Sequence, residues 1–370
     1  QTASIRPLLW STELLYTVAG LDLYDQRLYT ILHSKSASAI GQGFKDSVLS
    51  YLDENRFASK PFLKELQAQP ETDGYHLAGG VTQLKWQGLA LSVNWGTHIF
   101  RNAHDRCTPR FEVAPKHPLA ALNGTGGGTY SHNCFDQSIL VVDEHIQNSE
   151  PAEITGVDVT GPVQFVQARS DKHYPGTSIT RTFAIIGSHA LIVDKEESTD
   201  GKKHTVDWIF KNKAVDLSIP LEDRQGSWTS KPDIPTKGQA FGAGIPEHRY
   251  AKTATTFANR ASLMTMLGAP GTEVYTYPVH FRMQALMVRR SNVASTKYVA
   301  LFSADAQSIE RLPVKTAAGQ PAQAVGLKIT PKDGKPCHVI VNFEPAGTEV
   351  VLDGLKTKDR VATDFPGGEK

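Results

Sequence analysis

Between residues 95 and 147 the chain gathers Trp95, His98, Arg101, Asn102, His104, Asp105, Arg106, Tyr130, His132, Asp143 and His145. Imidazoles and carboxylates at this density can ligate a divalent cation or transfer protons near neutral pH. The interleaved arginines, with Arg181 further on, can pair bidentately with carboxylate or sulfate, and Trp95 and Tyr174 can stack on sugar rings. A single histidine in a β-rich chain is more often structural than a ligand, and three arginines in a row of ten residues are ordinarily a solvated strand edge. The clustering is what favours metal binding or proton transfer here. The glycines Gly124, Gly126, Gly127 and Gly128 are not followed by the Lys-Ser/Thr and helix of a phosphate loop, so they read as a turn that brings Tyr130 and His132 close to the preceding strand. A serine-hydrolase elbow is absent from the sequence.

Charge and composition narrow the classes. The 370 residues include 39 basic and 38 acidic side chains, a formal net charge of +1, so no global field draws the chain to nucleic acid or to an anionic membrane, and attraction for an acidic substrate has to be local. No apolar run approaches the roughly 18–20 residues that span a bilayer. Cys107, Cys134 and Cys337 lack the spacing of a zinc or redox motif and are expected to be free, with a Cys107 to Cys134 bridge as the alternative. The chain begins at Gln1 without a charged-then-apolar leader, as expected of a mature secreted form, a processed fragment or a trimmed chain.

Three regions must position the cluster. Residues 1–72 carry apolar side chains at helical spacing, Leu8, Leu9, Leu14, Leu15 and Val18 and then Phe44, Val48, Tyr51 and Leu52, and are predicted to be a short helical segment. From about Tyr75 the pattern changes to short β-type runs, among them Ser138–Val142, Val163–Ala168, Ser178–Ile186, Ala190–Val193, Thr205–Phe210, Tyr298–Phe302, Val325–Ile329 and His338–Phe343. The expected fold is mainly β, with large antiparallel sandwich sheets. A break rich in Gly, Pro, Ser and Lys over 224–244 divides a site-bearing sheet domain, 73–225, from a C-terminal β-sandwich, 226–370.

Ser131, His132, Asn133 and Cys134, the β run to Val142, then Asp143 and Gln147 resemble the His-Asn-Thr, strand, Val-Asp-Gly and Gln pattern of the heparinase II/III-like polysaccharide lyases, a family that includes alginate and glycosaminoglycan lyases. Arg181-Thr-Phe, Leu191 to Asp194 and His204 to Phe210 follow that family's order of an Arg-bearing strand, a strand ending in Asp and a His-containing strand. Residues 102–105 stand where the family has His-x-His-x-Asp, and Asn123 stands at its Asp-Pro-Gly aspartate. The resemblance covers roughly residues 75–215. It implies an (α/α) toroid, of which the N-terminal helices resemble the last turns, set against antiparallel sheets with a cleft between.

By the same resemblance His104, Tyr130 and Asn102 are the candidate catalytic groups and His132 a metal ligand, while the residue types themselves offer Arg101, Arg106, Trp95, Tyr174 and Arg181 for substrate binding and Asp105 beside His132 for a divalent metal, zinc by preference. The implied reaction is β-elimination on a uronic-acid-containing polysaccharide, in which the carboxyl group beside the abstracted proton has to be neutralised. The expected partners are an acidic polysaccharide and a missing helical-toroid chain or N-terminal half, and the expected location is secreted or periplasmic. The alternative is a non-catalytic carbohydrate-binding or structural sandwich module, or the separated C-terminal half of a lyase. A hydrolase working through paired carboxylates is the third reading.

Overall fold

The computed structural model describes residues 75–77, 81–86, 89–95, 110–113, 138–145, 147, 150, 152–212, 214–228, 245–279, 283–332 and 334–365. The helical segment expected at 1–72 lies outside them. The chain divides into two units, residues 1–70 with 77–81 and residues 71–76 with 82–370. The account below concerns the second.

The described strands form five sheets. A four-stranded sheet takes β1 (Tyr75–Leu77), β2 (Val81–Trp86), β3 (Leu89–Asn94) and β4 (Arg110–Val113) in that order. The six-stranded front sheet runs β11 (Glu222–Trp228), β12 (Ile245–Thr253), β15 (Thr272–Val279), β16 (Met283–Val293), β10 (His204–Asn212) and β5 (Leu140–Val142). The seven-stranded middle sheet runs β13 (Phe257–Asn259), β14 (Met264–Met266), β17 (Ser295–Phe302), β9 (His189–Ser198), β8 (Thr177–Ile186), β7 (Val163–Ser170) and β6 (Glu153–Asp158). The back sheet takes β18 (Ala306–Leu312), β20 (Ala324–Pro331), β21 (Cys337–Asn342) and β24 (Val361–Thr363), and a three-stranded sheet takes β19 (Lys315–Thr316), β22 (Val350–Leu352) and β23 (Leu355–Thr357). Every pairing within the front, middle and back sheets is antiparallel. The chain is mainly β, and no α-helix occurs among the described residues.

Alternation along the strands explains the layering. On β8, β9 and β17 one set of side chains, Phe183, Ile185, Ala190, Ile192, Tyr298, Ala300 and Phe302, packs with Val206, Trp208, Phe210, Leu286 and Val288 of the front sheet. The other set, Ala184, Ile186, Leu191, Val193, Val299 and Leu301, packs with Ile309, Leu327, Ile329, Val339 and Val341 of the back sheet. The middle sheet is therefore buried on both faces, which is why β8 and β9 read as nearly unbroken apolar runs rather than as alternating ones.

The boundary expected near residue 225 does not divide this body. It falls inside β11, which pairs with β12, and both large sheets draw strands from either side of it. Residues 229–244 join two adjacent strands of one sheet, so the break in composition marks a connection rather than a domain junction. Phe183 is fully buried between the front and middle sheets. Phe183→Ala is expected to lower stability by about 3–5 kcal/mol, read as a drop in the urea midpoint with unchanged slope.

Candidate functional site

Seven of the residues singled out from the sequence, Arg101, Asn102, His104, Asp105, Arg106, Tyr130 and His132, lie outside the described residues. Trp95, Tyr174 and Arg181 are described, and all three are tied into the protein. Trp95, at the end of β3, is half-buried against the front core, and its Nε1 donates to Thr82 Oγ1 at 3.0 Å. Tyr174 is buried and donates its hydroxyl to the Leu140 carbonyl at 3.0 Å, which leaves no ring face open for a sugar.

Arg181 is 1% exposed, and its Nε and Nη2 each donate to Asp194 at 2.9 Å, while Nη1 reaches the Ser138 carbonyl at 3.3 Å. Trp208 Nε1 also donates to Asp194, at 2.8 Å. Burial pushes the Asp194 carboxyl up, and the Arg181 fork and the indole oppose it. With both oxygens taking charge-assisted bonds, the geometry suits the carboxylate. Instead of facing an anionic substrate, Arg181 clamps the front and middle sheets. Asp194→Asn leaves a buried guanidinium uncompensated and is expected to cost about 3–5 kcal/mol, whereas Arg181→Met with Asp194→Leu is expected to recover most of that loss in the same denaturant titration.

The described residues offer a different constellation, on the outward face of the front sheet. Register places Lys252, Glu273, Arg289 and Asp207 side by side across β12, β15, β16 and β10, a rung of alternating charge. Arg289 donates through Nε and Nη2 to Asp207 at 2.7 Å each and through Nη1 to Glu144 at 2.8 Å. Burial works against the Arg289 charge, but the two carboxylates outweigh it and hold the guanidinium protonated. The next rung carries Tyr250, Tyr275, Met287 and Ile209.

Glu273 accepts from the Tyr250 hydroxyl at 2.8 Å and from Tyr275 at 3.3 Å. Burial and that carboxylate push the Tyr275 phenol up to about 12 and Tyr250 higher still. Both phenols therefore stay protonated at neutral pH with their hydroxyl hydrogens directed to Glu273, and neither is poised as a base. Arg224 lies 3.5 Å above the Tyr250 ring and is exposed, with Glu222 3.8 Å from its Nη2 in a loose surface pair that an arriving anion can displace. His248 stacks beside Tyr275 at 5.7 Å, and its Nδ1 is shielded from solvent with no hydrogen-bond partner. An open cavity of about 560 Å3 is lined by Arg224, His248, Arg249, Tyr277 and Gln284 among others. Cations, aromatic rings and hydroxyls around such a cavity can hold an acidic saccharide. The face was missed in the sequence because its members come from separate strands, although the alternation of His248 with Tyr250 and of Tyr275 with Tyr277 was visible.

The turn after β5 joins this face to the interior. Asp143 and Glu144 both adopt the left-handed region, with φ of 50° and 61°. Position 144 is where the lyase pattern quoted above has Gly, which tolerates that φ without strain. Glu144 pairs outward with Arg289. Asp143 takes the Thr205 amide at 2.8 Å and the His204 Nδ1 at 2.7 Å, and His204 Nε2 lies 3.3 Å from Asp200.

Glu196, 0% exposed, sits near this group with neither carboxyl oxygen hydrogen-bonded. Burial pushes it up to about 7, opposed by His204 and assisted by Asp143 and Glu197. Its folded-state pKa thus exceeds the unfolded value of 4.5, the folded chain binds more protons in between, and stability falls as pH rises through that window. Glu196→Gln is expected to flatten the fall and to raise the melting temperature more at pH 8 than at pH 5. Among the described residues no group of three or more His, Cys, Asp or Glu side chains could hold a metal ion.

The architecture has solved counterparts. The structure matches a heparinase III, the BT4657 gene product, at TM-score 0.52 and 12% identity over 81% of this chain and 48% of that one. It matches the heparan sulfate lyase HepC from Pedobacter heparinus at TM-score 0.51 and 10% identity over 83% of this chain and 49% of that one. The chain spans about half the length of these structures, and at such identities the likeness is one of fold. No protein-family model and no curated protein matches the sequence.

Proposed function

We propose that the chain is the sheet-bearing part of a polysaccharide lyase that cleaves a uronic-acid-containing polysaccharide by β-elimination. The observation that carries this reading is the agreement of two independent likenesses. The motif order from His132 through Asp143 and Arg181 to His204 resembles the heparinase II/III-like lyases, and the stacked sheets match solved heparan sulfate lyases over about four-fifths of the chain. The outward face of the front sheet adds exposed Arg224 over Tyr250, chemistry suited to an acidic sugar.

In this proposal His104, Tyr130 and Asn102 carry proton transfer and carboxyl neutralisation, Arg101 and Arg106 hold substrate, and His132 and Asp105 hold a divalent metal, preferably zinc. Removing the proton next to a uronate carboxyl develops enolate charge, and a neutralising donor there is what makes the step accessible. Tyr250 and Tyr275 are assigned to binding, because their raised pKa values make them poor bases. A helical half on another segment or another chain, and a secreted or periplasmic location, belong to the same proposal.

The test incubates the purified chain with heparan sulfate, chondroitin, hyaluronan, alginate and glucuronan, with and without chelator, and follows the ultraviolet absorbance of unsaturated uronate ends. A rise with one substrate is expected, lost in His104→Ala and weakened in Arg224→Ala mainly through KM. Metal analysis of the same preparation is expected to find about one zinc per chain, lost in His132→Ala. A flat trace from folded protein that still binds glycan would replace the enzyme reading with that of a binding module, and saturated reducing ends would point to a hydrolase.

A further inference from the structure

On the side of the middle sheet away from the front face, the apolar layer shared with the back sheet ends in three cations. Lys195 follows Leu191 and Val193 at strand period on β9, Lys297 precedes Val299 and Leu301 on β17, and Arg311 follows Ile309 on β18. The period therefore continues the inward-facing positions from aliphatic to basic on all three strands. Lys195 and Lys297 are directly opposite each other in the register, a placement that like charges disfavour. A cavity of about 370 Å3, within the range of small-ligand sites, is lined by Lys297, Arg311, Glu310, Thr256, Val299 and Ile309 among others.

Among the described residues Glu197 and Glu344 oppose the repulsion at Lys297 without offsetting it, and Glu310 stands at the cavity wall. Glu197 is engaged with Lys195 at 2.7 Å. Glu344 accepts the Gln323 amide, and Glu310 lies across from Lys328 in the back sheet. Lys297 makes one hydrogen bond, to the Ala324 carbonyl at 3.2 Å, and extends over the Phe343 ring at 6.0 Å. Among the described residues no carboxylate pairs with Arg311, which is exposed.

We propose that Lys297 and Arg311, with Lys195 opposite Lys297 in the register and outside the cavity wall, form a binding site for an oxyanion group, sulfate or phosphate, on the opposite side of the middle sheet from the front face. An anion between Lys297 and Arg311 would relieve the repulsion that the protein leaves standing, and Thr256 stands at the cavity wall as a further donor. The free protein shows the strain. Burial and then the charges of Arg311 and Lys195 push the Lys297 ammonium down to about 8, against the opposing pull of Glu197 and Glu344. Bound oxyanion raises that value, so affinity is highest where Lys297 is protonated and falls as pH rises from 7 to 9. The site needs no turnover and is independent of the lyase reading.

The experiment titrates the full chain with millimolar sodium sulfate against sodium chloride at equal ionic strength, which separates site binding from the general salting effect of sulfate. It reads the melting temperature and the heat of binding. Wild type is expected to bind inorganic sulfate, with Arg311→Glu and Lys297→Met each weakening it about tenfold or more, in keeping with the loss of a charge-assisted bond. Lys315→Glu, the same charge change as Arg311→Glu but on the small three-stranded sheet, is expected to leave affinity unchanged. Lys297→Met is expected to remove the pH dependence. Displacement of sulfate by a sulfated oligosaccharide assigns the group to a saccharide chain, and displacement by inorganic phosphate alone assigns it to a free oxyanion. Equal sulfate response in wild type and both site variants, or none in wild type, overturns the proposal.

Discussion

The middle sheet has no solvent-facing side, and most of what is distinctive in this structure follows from that constraint. A sheet packed on both faces favours polar side chains that are satisfied internally, and one that is not, such as Glu196, is held protonated toward neutral pH by its burial. Arg181 and Asp194 are a satisfied pair, and Trp208 from the front sheet completes it, so that one hydrogen-bonded group fixes the spacing and the slide of two layers. Tyr298 does the same from the middle sheet, donating its hydroxyl to the Val206 carbonyl of β10 at 2.7 Å. Replacing these groups by aliphatic ones need not weaken the core, but it would remove the features that tell one alignment of the sheets from its neighbours.

Much of this was legible. Each of the eight β runs read from the sequence lies in or overlaps an observed strand, because strands buried on both faces leave long apolar runs and because Gly and Asp mark their ends. The role of Arg181 was legible too, although by a different rule from the one applied. The hairpin of β8 and β9 turns at Gly187 and Ser188, with Gly187 at φ 56°, and a two-residue turn there sets Arg181 opposite Asp194. Residue type alone suggested a ligand for anions, whereas register showed that the anion is already supplied by the chain.

The rung of Lys252, Glu273, Arg289 and Asp207 was not legible, for the complementary reason. Its members sit on four strands whose order in the sheet departs from their order in the chain, since β10 pairs with β16 and β12 with β15. No local spacing encodes such a neighbourhood. The dense His, Asp and Arg cluster that first drew attention lies outside the described residues except at Trp95 and around Asp143. Its nearest described part, the Asp143 and Glu144 turn, links His204 inside to Arg289 outside through two consecutive side chains in a strained conformation. A strained pair of this kind persists where its surroundings over-determine it, and here four hydrogen-bonded or ionic contacts do so.

A net charge of +1 conceals two opposite arrangements. On the front sheet, cations and carboxylates alternate across the rung, and Arg289, the buried cation of that rung, is paired with Asp207 and Glu144. At the back, Lys195 and Lys297 face each other with Arg311 alongside, and Glu197, paired with Lys195, and Glu344 only partly offset the repulsion at Lys297. Paired charges hold a structure together and have little capacity left for a ligand, whereas like charges held together by a β register represent free energy that an arriving anion can recover. By this criterion the front rung is chiefly a scaffold for the aromatic and hydroxyl groups beside it. The back cluster, whose charge is only partly countered by Glu197 and Glu344, is the place where the protein's own electrostatics favour an anion from solution.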